Sequence, residues 1–462
     1  MAGTHCKNMD TDPERMRNRN NPTGTRIATT LAMAAFCALP CAAAGEEPTA
    51  VSWIEKTANP LEDTAEMITA LVARADGRRL VLLGESTHGT HEYYHYRDQI
   101  SRALIESGGV RFIAVEGDWA ALRPLNEYVA GRTEGDATAS ALLSRLSRWP
   151  AWMWGNEETA TLLEWLRQWN RQRPEGERVS FVGMDVYSPW QAADMLAEWA
   201  KRHFNEGEAE EIRSDLAHFL RHRDNERAYI QANHPNQAAA LAAYSRIESR
   251  LAAKAEEGDV PDWDMFAMEQ SLRVVRGAHH HFIGMAIPGA RSWNSRVEHM
   301  KGTVSALFGF FGDGARGIVW AHNTHIGDAR ATAMADAGQI NIGHLARERW
   351  GAENVFALGF ATHRGTVKAG REWGGARIAM DIPEAATGSI EYILNRRFPG
   401  GAWLCFADPP AAARQDVVHH RAIGVVYRPE NEAGNYVPTR LGERYDALIF
   451  FPETRALSPI DP

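Results

Sequence analysis

The stretch Leu80-Val81-Leu82-Leu83-Gly84-Glu85-Ser86-Thr87-His88-Gly89 decides the fold class of this chain. Four apolar residues run directly into a glycine and an ionisable residue, as a buried strand does when it ends in a polar loop. Three further apolar runs, at 112–115, 179–184 and 318–321, end in the same way on Glu116, Asp185 and His322. Ligands bind at the carboxyl ends of strands in open α/β sheets, so the repeated pattern predicts an enzyme.

The rest of the chain predicts an α/β fold, with a largely parallel or mixed sheet flanked by helices. Further strands are expected at 355–360, 402–406, 422–426 and 447–451, and helices at 90–106 and 157–173. Residues 190–276 lack a convincing strand and are charged and Ala-rich with a helical period. We interpret them as a helical insertion or cap that forms one side of the cleft, between core segments 45–189 and 277–462.

The N-terminal residues have the order of a secretory signal. Arginines at 15, 17, 19 and 26 precede the apolar residues 27–39, and the small residues Ala42, Ala43 and Ala44 follow. We therefore predict a signal peptide over 1–44 and export to the periplasm or the medium. The apolar run is too short for a stable membrane anchor. Cleavage would leave Cys405 as the one remaining cysteine of four, and we expect it in the core.

Charge excludes the classes of protein that bind polyanions. The chain has 50 Lys and Arg against 59 Asp and Glu, a net charge of −9. This balance gives no basic bias towards nucleic acid or an anionic membrane.

The first loop has the residues of a general base. Glu85 and His88 share one short turn, so a carboxylate can orient an imidazole and raise its basicity. His91 and Glu92 follow at the start of a helix, and His91 is predicted to contact substrate. A plain helix cap with a solvated histidine is the alternative for this loop. Glu116 should be half buried and in need of a partner, for which Arg97 and His88 are the candidates.

A second group of polar residues follows the run at 318–321. His322 and His325 are three positions apart and can point into one pocket. With Glu85 and His88 they would make a metal site, and the same residues equally make a metal-free acid–base and oxyanion site. Asp185 and Tyr187 are predicted to contact substrate or support the site. The run His279-His280-His281 is predicted to have a surface or linker role instead of forming a metal site.

At these residues the chain resembles the erythromycin esterase family. The segments that carry the resemblance are Gly84-Glu85-Ser86-Thr87-His88-Gly89-Thr90-His91-Glu92, Val115-Glu116-Gly117-Asp118-Trp119, Trp320-Ala321-His322-Asn323-Thr324-His325-Ile326-Gly327-Asp328 and, between them, Trp152-Met153-Trp154, Gly183-Met184-Asp185-Val186-Tyr187-Ser188 and residues 293–300. The resemblance implies a hydrolase that opens a carboxylic ester or macrocyclic lactone with activated water and no covalent serine intermediate.

Roles for single residues follow from the resemblance. It implies His88 as general base, Glu85 as its orienting acid, and Arg97 with Glu116 as a supporting polar pair. His322 and His325 would bind substrate or stabilise the oxyanion, and the stretch Trp149–Trp154, with Trp152 and Trp154 as substrate contacts, would contribute an apolar wall for a large ligand. No cofactor is expected, and metal-independent catalysis is favoured. The alternatives are a metallohydrolase that uses the same histidines and a non-catalytic binding protein for a large apolar metabolite.

Overall fold

A computed structural model describes residues 49–133, 135–406 and 415–460. The predicted signal peptide at 1–44 lies outside these residues. Within them, nine strands form one mixed sheet in the order β1-β8-β11-β6-β2-β5-β3-β4, with β7 paired to β6, and β9 pairs with β10 separately. The strands are β1 Asn59–Pro60, β2 Leu80–Leu83, β3 Val110–Asp118, β4 Ser180–Asp185, β5 Arg316–Trp320, β6 Val355–Gly370, β7 Arg377–Ile382, β8 Ala402–Cys405, β9 Val418–Arg421, β10 Tyr436–Thr439 and β11 Ala447–Thr454.

Helices flank the sheet, so the predicted α/β class is confirmed. They are α1 Thr49–Thr57, α2 Thr64–Ala75, α3 His91–Ser107, α4 Trp119–Val129, α5 Ala139–Leu143, α6 Glu157–Arg171, α7 Pro189–His203, α8 Glu206–Leu220, α9 Glu226–Asn233, α10 Gln237–Glu257, α11 Asp262–Met285, α12 Arg291–Phe311, α13 Asn323–Ile326, α14 Ala333–Asp336, α15 Ile342–Trp350, α16 Ile390–Arg397 and α17 Leu441–Arg444. No helix among the described residues is long and apolar enough to cross a membrane.

The centre of the sheet is parallel. β2 pairs with β5 and β6, and β3 pairs with β5 and β4, all in parallel register. The loops after β2, β3, β4 and β5 therefore leave the sheet at one edge, which is where Glu85, Glu116, Asp185 and His322 were expected to meet. Alternate residues of these strands pack on opposite faces: Leu80 and Leu82 belong to one core cluster, and Val81 and Leu83 to the other.

Two predicted strands differ from the structure. β6 is much longer than the predicted 355–360, because its second half pairs antiparallel with β7 as a hairpin. Residues 422–426 do not form a strand of the main sheet, and the strand β9 ends just before them. Instead, the Ile423 amide donates to the Ser86 carbonyl oxygen at 2.7 Å, which supports the loop after β2. The apolar residues 422–426 were therefore wrongly predicted as a strand, and they stabilise the loop after β2 instead.

Residues 189–311 hold the helices α7 to α12. α11 runs through position 276, where the sequence prediction ended the helical insertion, and α12 extends the helical stretch to Phe311. α11 and α12 pack closely against each other and α12 also contacts β4. This packing matters for the site because α12 delivers Arg296 to the ends of β3 and β4.

Candidate active site

The loop after β2 holds a carboxylate between an imidazole and a guanidinium. His88 Nδ1 lies 2.9 Å from Glu85 Oε1, and Arg97 Nη2 donates to Glu85 Oε2 at 2.9 Å. Arg97 is fully buried on α3, and its guanidinium lies 4.3 Å from the ring centroid of Tyr94 and 4.7 Å from that of Trp320. The two aromatic rings hold the Arg97 guanidinium, and its salt bridge orients the Glu85 carboxylate. The carboxylate in turn orients the His88 ring.

Gly84 brings this loop against the next one. A β-carbon at Gly84 would overlap the side-chain oxygen of Asn323, so glycine is required for the close approach. The Asn323 backbone N–H donates to the Glu85 backbone carbonyl oxygen at 2.8 Å. As a result the rings of His88 and His322 are neighbours, with 4.8 Å between centroids and an interplanar angle of 43°.

Arg296 joins the ends of β3 and β4. Its Nε and Nη2 donate to the two oxygens of Asp185 at 2.9 and 2.6 Å, and Nη2 also donates to Glu116 Oε1 at 2.8 Å. Glu116 accepts a further hydrogen bond from the His322 backbone N–H at 2.9 Å and lies 3.2 Å from His325 Nε2. Glu116 is thus the common partner of a cation and both later histidines.

The His325 ring is also held from outside the sheet. The indole of Trp293, on α12, stacks on it with 4.5 Å between centroids and an interplanar angle of 9°. Trp293 Nε1 donates to the Ile340 carbonyl oxygen at 2.7 Å, which fixes the indole. His325 Nδ1 is buried and has no hydrogen-bond partner among the described residues.

Charge pairing decides the protonation of the cluster. Burial by itself lowers the pKa of His88, but Glu116 and Glu85 outweigh this effect and raise the pKa above its ordinary value of 6.5. Burial would raise the pKa of Glu116, yet His325, His88 and Arg296 hold it well below its usual value. Burial and the neighbouring His88 together lower the pKa of His322 well below 6.5. The cluster therefore pairs a basic histidine with a neutral one.

The hydrogen bonds of His322 set its tautomer. Its Nδ1 accepts from the Thr324 backbone N–H at 3.2 Å and lies 2.8 Å from the Thr324 hydroxyl oxygen. Since a backbone N–H can only donate, the neutral ring carries its proton on Nε2. That Nε2 is buried and makes no hydrogen bond of ordinary geometry in the described part of the chain, although the Ser86 backbone lies close enough to raise the pKa of the ring slightly. The ring thus presents a weakly held donor beside His88.

A model of the family Erythromycin esterase matches residues 105–454. The chain belongs to the erythromycin esterase family. Its match to an erythromycin esterase type II from Escherichia coli is 28% identical over 108 residues and covers 23% of each chain. The span that matches the family model contains Glu116, Asp185, Arg296, His322 and His325, while the loop with Glu85 and His88 precedes it.

Three solved structures share the fold. A protein from Bacillus cereus has a TM-score of 0.73 at 18% identity, over 89% of this chain and 98% of its own. A succinoglycan biosynthesis protein has a TM-score of 0.71 at 17% identity, over 88% and 97%. A histidine-to-asparagine mutant of the erythromycin esterase EreC in its open conformation has a TM-score of 0.59 at 20% identity, over 88% and 97%.

The residues expected from the family resemblance are mostly together. Glu85, His88, Glu116, His322 and His325 lie in one cluster, all less than a tenth exposed. Arg97 is in the cluster as well, although it pairs with Glu85 and not with Glu116 as expected. Asp185 holds Arg296, and the Tyr187 ring lies 5.1 Å below the Arg296 guanidinium.

Three residues predicted to bind substrate lie elsewhere. Trp152 and Trp154 are 2% and 5% exposed, and they pack in the core beneath the site instead of forming an open wall. The Trp154 Nε1 donates to the Glu116 carbonyl oxygen at 3.1 Å, so this residue supports the site from below. His91 lies 2.7 Å from Glu158 Oε1 and stacks on His95 at the start of α3. The prediction of an open wall was wrong for Trp152 and Trp154, because the aromatic composition of a segment does not show whether its rings point into the core or towards a cleft.

The surface position predicted for the three consecutive histidines was wrong for two of them. His279 is buried, with Nδ1 2.6 Å from the Tyr229 hydroxyl, and His281 is buried beside Ser292. Burial lowers the pKa of each to about 4. His280 is exposed. Helix α11 packs against both α7 and α12, so His279 and His281 are buried. The hydrophobic periodicity of the sequence did not show this second contact face.

Arg296 and Trp293 were not predicted to act in the site. Both lie in the stretch 293–300, which had been noted for its resemblance to the family without a role for any residue. Their spacing by three positions places them on one face of α12. The sequence alone does not show that Arg296 forms a buried ion pair, because its carboxylate partners lie at the ends of β3 and β4. Among the described residues, no three His, Cys, Asp or Glu side chains are arranged to hold a metal ion.

Proposed function

We propose that this member of the erythromycin esterase family hydrolyses a carboxylic ester or macrocyclic lactone, with His88 as the general base. The observation that carries the proposal is the pair of neighbouring rings, 4.8 Å apart between centroids: His88 is oriented by Glu85 at 2.9 Å, and His322 has a buried Nε2 donor without a well-formed hydrogen bond. A base that activates water and a donor for an oxyanion are the two groups that ester hydrolysis needs.

In the first step His88 takes a proton from water. Because Nδ1 faces Glu85, the free edge of the ring is Nε2, which accepts the water proton as the oxygen attacks the ester carbonyl carbon. Glu85, fixed by Arg97, stabilises the imidazolium that forms. The raised pKa of His88 makes it a stronger base, at the cost of requiring a pH high enough to hold it neutral.

The second half of the reaction returns the proton. The carbonyl oxygen gains negative charge as the tetrahedral intermediate forms, and the Nε2–H of His322 donates to it. When the carbon–oxygen bond to the alcohol breaks, the His88 imidazolium gives its proton to the leaving alkoxide. An open-chain ester gives one carboxylic acid and one alcohol, a lactone gives a single hydroxy acid, and neither needs a covalent enzyme intermediate or a cofactor.

We also propose that the enzyme acts outside the cytoplasm. This rests on the sequence of residues 1–44, in which basic, apolar and small residues follow one another. Expression of the full chain, followed by N-terminal sequencing of the periplasmic or secreted form, should give a start near Gly45. Recovery of the intact N-terminus from the cytoplasm would contradict this localisation.

Mass spectrometry tests the reaction directly. Purified protein is incubated with macrolides and other lactones in ¹⁸O-labelled water, and the product should gain one water with a single heavy oxygen in the new carboxyl group. A product bearing a sugar or phosphate, or no product across the panel, would reject hydrolysis of this class.

Chelation separates the metal-free route from the metallohydrolase. Activity should survive prolonged dialysis against a strong chelator, with elemental analysis of the same sample as the control for removal. Loss of activity that returns on addition of zinc or another divalent ion would replace the proposed water activation by His88 with activation by the metal.

A further inference from the structure

Strand β7 lies at an open edge of the sheet. Among the described residues it pairs with β6 alone, so no strand lies along its other side. Ala379 and Asp381 are exposed, and Ile378 is 39% exposed. Such an edge presents backbone N–H and C=O groups that can pair with another chain, and β7 contains no proline that would remove one of these donors.

The register of the hairpin shows which backbone groups of β7 point to the open side. Ala379 lies opposite Lys368 of β6, whose N–H donates in the other direction, to the Gly89 carbonyl oxygen at 2.9 Å. The two opposite residues therefore form a non-hydrogen-bonded pair, and the N–H and C=O groups of Ala379 point outward. Since hydrogen-bonded and non-hydrogen-bonded pairs alternate, the backbone groups of Arg377 and Asp381 point outward as well.

The sequence of β7 is complementary to itself about Ala379. In an antiparallel pair of two copies centred on this residue, Arg377 of each copy lies opposite Asp381 of the other. The outward-pointing residues then oppose one another as hydrogen-bonded pairs, and opposite charges at facing positions stabilise such a ladder. Backbone geometry also allows neighbouring registers, but only the register centred on Ala379 brings the two opposite charges together.

The apolar side chains of β7 fit the same register. Met380 and Ile382 are buried in a small cluster with Val367 and Ile423, and Ile378 lies at the end of the same face of the strand. With Ala379 at the centre, Ile378 of each copy lies opposite Met380 of the other. The pairing would therefore cover the exposed part of Ile378 with an apolar neighbour.

We propose that β7 pairs with β7 of a second copy of this chain, which joins the two sheets in a symmetric dimer. Charged side chains usually keep edge strands apart. Here the charges of Arg377 and Asp381 have opposite signs and lie at equal distances from Ala379, so two-fold symmetry places each one opposite its counter-charge. A second copy therefore matches this edge at one register in backbone groups, charge and apolar side chains.

Analytical ultracentrifugation of the purified protein over a range of concentrations measures the dimer. Asp381→Arg places two arginines opposite each other at both charged positions and should weaken dimerisation about tenfold. The double change Arg377→Asp with Asp381→Arg exchanges the charges and should restore it. The control is Asp313→Arg, the same change of charge at a fully exposed position outside the hairpin, which should leave the dimer intact. No recovery in a double variant with an unchanged circular dichroism spectrum overturns the pairing.

Ala379→Pro tests the backbone pairing without a change of charge. The Ala379 N–H points to the open side, so proline removes hydrogen bonds between the two copies and none between β6 and β7. The dimer should weaken about tenfold. Ala379→Thr, which keeps the N–H and favours a strand, should leave the dimer intact and is the matched control.

Hydrogen exchange distinguishes a second copy from other ways to cover the edge. The amides of residues 377–382, followed by mass spectrometry, should gain protection only at concentrations where the dimer forms. Protection that does not depend on concentration would mean that residues of the same chain cover β7, and it overturns the proposal. A monomer at every concentration overturns it too, as does a dimer that Asp381→Arg and Ala379→Pro both leave intact.

Discussion

Two buried clusters of this protein contain the same kinds of groups and keep them in opposite states of protonation. In the candidate active site the pKa of Glu116 lies well below its usual value and that of His88 lies above 6.5. The second cluster, called the rear cluster, contains Glu391 and His420. Burial there raises the pKa of Glu391 to about 7 and lowers that of His420 to about 3. Glu391 and His420 are only 3.6 Å apart, so proximity alone does not keep a pair charged.

The difference lies in the partners of each carboxylate. Glu116 receives the Arg296 guanidinium, the His322 N–H and the His325 ring, all within 3.2 Å. Glu391 receives the Arg421 backbone N–H at 2.8 Å, while its Oε2 has no hydrogen-bond partner in the described part of the chain.

The nearby cation is committed elsewhere. The Arg421 guanidinium donates to Glu432 at 2.7 Å and to the carbonyl oxygens of residues 362, 363 and 383. These contacts use four of its five N–H groups, and the guanidinium makes no hydrogen bond to Glu391 in the described part of the chain. Buried groups stay charged where hydrogen-bonded counter-charges reach them, and neutralise where they do not.

The largest expected effect separates the two clusters by function. His88→Ala removes the proposed base and should lower kcat by on the order of 10³-fold, as loss of a general base does, with an unchanged circular dichroism spectrum. The matched control is His420→Gln in the rear cluster, which should keep kcat within an order of magnitude of the unaltered enzyme. Steady-state kinetics on one ester decide the matter. Near-normal turnover in His88→Ala would show that the base lies elsewhere.

Substitution by methionine should lower the free energy of unfolding more at Arg296, which pairs with carboxylates, than at Arg444, which does not. Arg296→Met leaves Asp185 and Glu116 buried without their cation and should cost about 3–5 kcal/mol in the free energy of unfolding. Arg444 is 1% exposed and donates to the Asn323 carbonyl oxygen at 3.1 Å, without a carboxylate partner among the described residues. Arg444→Met should therefore cost about 1 kcal/mol or less. Urea unfolding measures both, and equal losses would contradict the comparison.

Much of the fold follows from the sequence, for a physical reason. β2 was predicted with its observed bounds because apolar residues buried on both faces of a parallel strand form a continuous run. β9 was missed because its residues, Val418-His419-His420-Arg421, hold buried polar side chains that pair locally and mask any alternation.

The site was predicted in part. Residues that follow a strand directly, such as Glu85 and His322, could be placed because parallel strands end at one edge of the sheet. Arg296 could not, since its partners are 111 and 180 positions away and no local period encodes such a pair. For the same reason Glu116 was assigned the wrong cation, Arg97, which lies nearer in sequence.

The rear cluster should make stability depend on pH. The folded-state pKa of Glu391, about 7, lies above its ordinary 4.5, so the folded protein retains a proton that the unfolded chain loses between these values. Stability from this group is therefore full below pH 4.5 and falls as pH rises through 7. Relative to the unaltered protein, Glu391→Gln should gain about 2 kcal/mol between pH 5 and pH 8. Urea unfolding at both values tests this, and a constant difference would place a charged carboxylate there.

The smallest effect concerns the coupling within the active site itself. The negative charge of Glu116 raises the pKa of His88, so Glu116→Gln should lower that pKa and let His88 act as a base at lower pH. The acid limb of kcat/KM should then move to lower pH, even though loss of the Arg296 contact lowers the plateau. Glu391→Gln is the control, because Glu391 is not among the charges that act on His88. A limb that stays in place while the plateau falls would mean that Glu116 only positions Arg296 and His325. A limb that moves identifies the field of Glu116 as part of what makes His88, and not His420, the basic histidine of this fold.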